Sequence, residues 1–159
     1  MGKEKNLKGM EFFLEASLKG LSKWLRFFGY KTEICEDKID KEKILKYKDK
    51  TFLITSPNTA KLLQKAGVRY LLLPRESLKA QLTLLIHKLD LTTELRLNLC
   101  SICGGELIPV KKEDFKDFIP PRVYQFYDEF NYCPKCKKLY WQGDHIKRLE
   151  KRLKNLIKK

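Results

Sequence analysis

No apolar run in this chain approaches the roughly 20 residues that a membrane-crossing helix needs, and its opening stretch, MGKEKNLKG, is charged where a secretory signal would be apolar. Asn6 stands where the myristoylation pattern requires Ser or Thr. Membrane spanning, secretion and lipid anchoring are therefore not expected, and the expected location is the cytoplasm. No glycine-rich dinucleotide or Walker loop follows the first β-like run, so no nucleotide cofactor is expected. Acidic residues are also in short supply: 20 Asp and Glu stand against 34 Lys and Arg, a formal net charge of +14. Hydrophobic residues make up 43%, enough for a true core and too many for a disordered chain. A length of 159 residues fits one ordinary domain, or a small domain joined to a metal-stapled module, and the second is expected.

The basic residues are spread along the chain but are densest in HIKRLEKRLKNLIKK, which carries seven Lys or Arg against one Glu. A polyanion is the natural partner of such a surface, although a lysine-rich coat that keeps a heat-adapted protein soluble has the same composition. Within this stretch Ile146, Leu149, Leu153, Leu156 and Ile157 recur at helical spacing, while Lys147, Arg148, Lys151, Arg152 and Lys154 fall outside that stripe. The pattern predicts a helix with one packed face and one basic face, the latter suited to RNA, to solvent or to an anionic lipid surface.

Four of the five cysteines, Cys100, Cys103, Cys133 and Cys136, form the pattern C-x2-C-x29-C-x2-C. Four thiolates complete a closed tetrahedral zinc site, and each x2 spacing lets one tight turn aim two of them at the same ion. Disulfides are the alternative, disfavoured in a reducing cytoplasm. The 29 residues between the pairs exceed the usual ribbon spacing, so a folded insert is expected there, with a helix in PPRVYQFYDEF that brings Val123, Tyr127 and Phe130 onto one face. Lys135, Lys137 and Lys138 flank the second pair as candidate phosphate contacts. Tyr140 and Trp141 fit either stacking on unpaired bases or the core of the ribbon itself.

Upstream, four β-like runs alternate with four helical ones, which predicts a parallel sheet covered by helices. In the first helix Leu18, Leu21, Leu25 and Phe28 form an apolar stripe, and Lys19, Lys23 and Arg26 are expected on the other side, facing a nucleic acid. Ligands of such sheets gather where strands end and helices begin. Glu15, Asp37, Asp40 and Glu76 fall at these junctions, where carboxylates could hold Mg²⁺ or Mn²⁺ for phosphodiester hydrolysis or could simply cap the helices.

FFLEASLKGLSKWLRFFGYKTEI, AGVRYLLLPRESLKAQL, LCSICGGEL, IPPRVYQFYDEFNYCPKC and KLYWQGDH together resemble the RNase domain first described at the C-terminus of the Mut-seven exonuclease. The resemblance runs from about Phe12 to about Leu149 and implies a PIN-like nuclease fold followed by a zinc ribbon. The corresponding layout is a basic extension at 1–9, a PIN-like α/β domain at 10–95, a four-cysteine zinc ribbon with an inserted helix at 96–145 and a basic helix at 146–159. The resemblance also implies metal-dependent RNA cleavage, yet the chain departs from the family pattern at the chemistry. Glu15 stands where the first acid is usually Asp, Thr55-Ser56-Pro57 replaces Thr-Arg-Asp, Gly104 replaces the Asn after the first cysteine pair, and Asp144 replaces Ser. The expected function is thus RNA binding by an enzyme-derived protein with a degenerate site. An active Mg²⁺- or Mn²⁺-dependent endoribonuclease is the alternative, and a protein-interaction module of a toxin–antitoxin-like pair is a further one.

Overall fold

The computed structural model describes residues 10–157, without the side chains of Asp144 and His145. The basic extension at 1–9 and the last two lysines of the basic helix lie outside the described residues. In β1 (Glu11–Glu15) three successive residues, Phe12, Phe13 and Leu14, are buried, so the strand carries core on both faces. That pattern belongs to the interior of a helix-covered parallel sheet. β1 is flanked by β2 (Lys31–Cys35) and β3 (Thr51–Ile54), and β4 (Tyr70–Leu72) completes a parallel sheet of order β2-β1-β3-β4.

The connecting helices are set by local signals. A short 3-10 turn, Ala16–Leu18, leads into α1 (Lys19–Phe27), which stops at Gly29, where φ is +93°. A Cβ there would lie 2.8 Å from Cδ of Arg96, so only glycine fits this chain reversal. Asp40, Ser56 and Ser77 cap α2 (Lys41–Lys46), α3 (Pro57–Ala66) and α4 (Leu78–Leu89) by accepting from the backbone N–H three residues on. α2 and α3 cover one face of the sheet, where Phe13, Phe52 and Ile54 meet Ile44 and Leu63. On the other face Phe12, Leu14 and Leu53 meet α1 and α4, and this larger core also takes in Leu149 and Leu153 of α6 (Asp144–Ile157). The basic helix therefore folds back onto the α/β unit and seals it.

The remaining segment is an antiparallel sheet of order β5-β6-β7, built from Ile108–Val110, Phe130–Cys133 and Lys138–Trp141. The 29-residue insert holds β5, a 3-10 run at Lys112–Phe118 and α5 (Pro121–Phe126). α5 is shorter than the sequence predicts. It ends at Phe126, because Phe130 is buried in the β6 ladder and Lys112 Nζ donates to the carbonyls of Tyr124 (2.7 Å) and Tyr127 (3.2 Å) at the helix end. Among the described residues no helix is long and apolar enough to cross a membrane.

Leu149 is 2% exposed, and its truncation leaves a cavity between α6, α1 and α4. Leu149→Ala is expected to cost about 2–5 kcal/mol of unfolding free energy, read as a lower urea midpoint at unchanged slope.

Candidate metal centre and nucleic-acid interface

The two cysteine pairs are built alike. In each, the residue after the second cysteine has a positive φ, +77° at Gly104 and +55° at Lys137. Its N–H returns to the carbonyl of the first cysteine, at 2.8 Å for Gly104 to Cys100 and 2.7 Å for Lys137 to Cys133. These turns bring all four sulfurs within 4.8 Å of one another. Cys103 Sγ and Cys133 Sγ lie 3.6 Å apart, close to the edge of about 3.8 Å that a tetrahedron with 2.3 Å zinc–sulfur bonds would have. Backbone N–H groups of Gly105 and Cys136 donate to the sulfurs of Cys103 and Cys133, each at 3.3 Å, as they do to thiolates. The group can hold a metal such as zinc. Burial and contact with the other sulfurs push the Cys136 thiol up to about 12. At Cys100 burial is overcome by hydrogen bonds, led by the one from the Tyr140 hydroxyl at 3.1 Å, and the thiol is drawn down to about 6. Four sulfurs this close cannot all ionise without a cation between them.

Arg26 departs from its expected place. It is 5% exposed and does not face a nucleic acid. Its Nε donates to Thr32 Oγ1 (2.7 Å) and its Nη2 to the Thr32 carbonyl (3.1 Å), while Nη1 reaches the carbonyls of Ser101 (3.2 Å) and Ile102 (3.0 Å) inside the first cysteine knuckle. The fork thus spans α1, β2 and the knuckle. Burial works against its charge, and the sulfurs of Cys103, Cys100 and Cys136 favour it. Gly104 is part of the same joint. A Cβ there would lie 2.8 Å from Arg26 Nε and 3.1 Å from the Thr32 carbonyl, which accounts for glycine at this position.

At the C-terminal edge of the parallel sheet the acids are engaged singly. Glu15 Oε1 accepts from the Thr55 N–H at 2.6 Å and Oε2 from the Thr55 hydroxyl at 2.7 Å, with Ser17 donating to Oε2 as well. Burial raises this carboxyl, but the three donors and nearby Arg75 outweigh burial and hold it below its usual value. Asp37 is ion-paired with Lys43, Asp40 caps α2, and Glu76 is exposed in the turn before α4. Among the described residues the four cysteines form the only set of three or more His, Cys, Asp or Glu close enough to share an ion, so Glu15, Asp37, Asp40 and Glu76 are not gathered as such a set.

The basic side chains lie elsewhere. Lys19 is exposed and paired with Glu36 at 3.0 Å. Lys23, Lys135, Lys137, Lys138, Lys147, Arg148, Lys151 and Arg152 are exposed. Lys23, Lys138, Arg148 and Arg152 converge, together with Arg122 of α5, on a cleft of about 710 Å³ between α1, α5, β7 and α6. Phe126, Tyr127, Tyr140 and Trp141 line the same cleft, and Arg152 sits over the Trp24 ring at 5.7 Å on its floor. Arg122 and Phe126 were not legible as interface residues from sequence. The available signal was their i, i+4 spacing on a short helix that turns Val123 inward.

The Mut7-C RNAse domain model matches residues 10–153. No curated protein and no solved structure matches the chain.

The joint at Arg26 is testable. Elemental analysis is expected to find one zinc per chain, and because lysine cannot reproduce a fork that binds three residues, Arg26→Lys is expected to cost about 2–3 kcal/mol and to release that zinc faster to a chromogenic chelator. Glu15 gives a second test. Because its folded value lies below 4.5, it stabilises the fold above that pH and loses the contribution as pH falls through the lower folded value. Glu15→Gln should flatten this acid limb of a stability–pH profile.

Proposed function

Since the chain belongs to the Mut7-C RNAse domain family, we propose that it is an RNA-binding protein whose zinc ribbon is structural and whose nuclease rim does not carry efficient metal-dependent cleavage. The observation that carries this reading is the state of Glu15. Both of its oxygens are satisfied by Thr55 and Ser17, and, among the described residues, no second or third acid joins it in a cation-holding group. A hydrolytic site of this type needs several carboxylates at one place, to hold the ion, orient water and offset the charge that develops on the phosphate. Thr55-Ser56-Pro57 offers hydroxyls and a helix start instead.

RNA binding needs other things, and these are present. Exposed cations of α1, β7 and α6 share one side of the molecule, and α6 turns Leu149 and Leu153 inward while leaving Lys147, Arg148, Lys151 and Arg152 outside. Contacts of this kind act on phosphates without regard to sequence and release counterions. Zinc bound by the four thiolates would fix the ribbon and, with it, the position of β7.

RNA affinity is expected to fall steeply with added salt. Replacing Lys147, Arg148, Lys151 and Arg152 together by Glu should leave the circular dichroism unchanged, weaken RNA binding at least tenfold and flatten the salt dependence. In the same samples, incubation of mixed RNAs with Mn²⁺ should give no cleavage above a Glu15→Gln control. Cleavage that this substitution abolishes would establish the enzyme instead.

A further inference from the structure

The cleft beside β7 combines two properties that rarely coincide by chance. Every charged side chain on its walls is cationic: Lys23, Arg122, Lys138, Arg148 and Arg152, with no Asp or Glu among the described lining residues. Six of its apolar lining residues are aromatic, beside seven aliphatic ones. Phe126 is 69% exposed at its mouth, an arrangement that leaves a phenyl ring in water without return from folding. Trp141 is half-buried, with one side against Phe130 at 5.9 Å between ring centroids. Lys138 lies over the Tyr140 ring at 5.4 Å, so cation and aromatic are already interleaved.

We propose that this cleft takes the unpaired bases of a single-stranded RNA segment, stacked against Phe126 and Trp141, with the flanking phosphates held by Arg122, Lys138, Arg148 and Arg152. The inference rests on the RNA-binding reading above and adds the state of the RNA and the place where its bases go. Bases in a duplex are stacked on one another and offer no face to a protein ring, whereas unpaired bases do, and every base has such a face. A cleft of about 710 Å³ falls within the range that encloses small ligands, so it has room for one or two bases and none for a double helix. An apolar protein partner would not call for five cations, and an acidic peptide would not call for exposed rings, so a chain that is both anionic and aromatic fits both walls at once.

Binding of labelled oligouridine, of an RNA duplex of equal length and of polyglutamate is compared by anisotropy at one fixed ionic strength, with wild type, Phe126→Ala and Phe126→Tyr. Phe126 packs in no core, so both variants should keep the wild-type unfolding profile. The expected result is tighter binding of oligouridine than of duplex, a loss of about tenfold for oligouridine in Phe126→Ala, recovery in Phe126→Tyr, and duplex binding unchanged by either. Equal loss in both variants, no loss in either, or polyglutamate displacing oligouridine as well as RNA does would overturn the proposal. Duplex binding without single-strand preference would overturn it while leaving the RNA reading standing, and no binding of either RNA by wild type would overturn both.

Discussion

One buried guanidinium holds the two halves of this protein in register. Arg26 leaves the last turn of α1, satisfies Thr32 at the start of β2 and ends on two carbonyls of the first cysteine knuckle. Burying a cation is costly unless each donor is met and an opposite charge is near. Here the carbonyls meet the donors and the neighbouring sulfurs favour the charge; with a divalent ion bound, four thiolates would keep a net charge of two negatives beside it. The dependence runs both ways: without the knuckle Arg26 would be a stranded charge, and without Arg26 the knuckle would lose its docking point. Gly104 completes the joint by presenting no side chain where the guanidinium must lie.

This joint also separates the acidic rim from the basic cleft. In a parallel sheet every strand ends on the same edge, so Glu15 stands at the edge where α1 begins. α1 then runs back along the sheet for nine residues, about 13 Å, and its far end carries Trp24 and Phe27 into the cleft. The acid-bearing edge of the sheet and the cationic, aromatic surface are therefore at opposite ends of one helix. Retention of charge and rings at one end does not depend on retention of carboxylates at the other.

Much of the architecture was legible in the sequence because it is written in short-range patterns. Apolar β runs alternating with amphipathic helices, Ser and Asp caps and the matched cysteine spacings are all local, and the parallel sheet and the cysteine cluster are their direct result. The failures are long-range. Arg26 reads as one more cation on a helix rich in lysine, and nothing within α1 reveals the carbonyls 75 and 76 residues away that bury it. Phe130 shares helical spacing with Val123, but its strand partners in β5 and β7 decide its conformation. Glu15 was readable as an acid after a strand, whereas the Thr55 hydrogen bonds that occupy it come from 40 residues further on.

The return of α6 onto the first-formed part of the chain has a consequence during synthesis. Leu149 and Leu153 share a core with Leu18, Trp24 and Leu25, so residues made early wait for residues made more than 120 positions later. Until α6 leaves the ribosome, the α1 and α4 surface that it covers is a nascent apolar patch. A translation pause ahead of residue 144 would prolong that exposure.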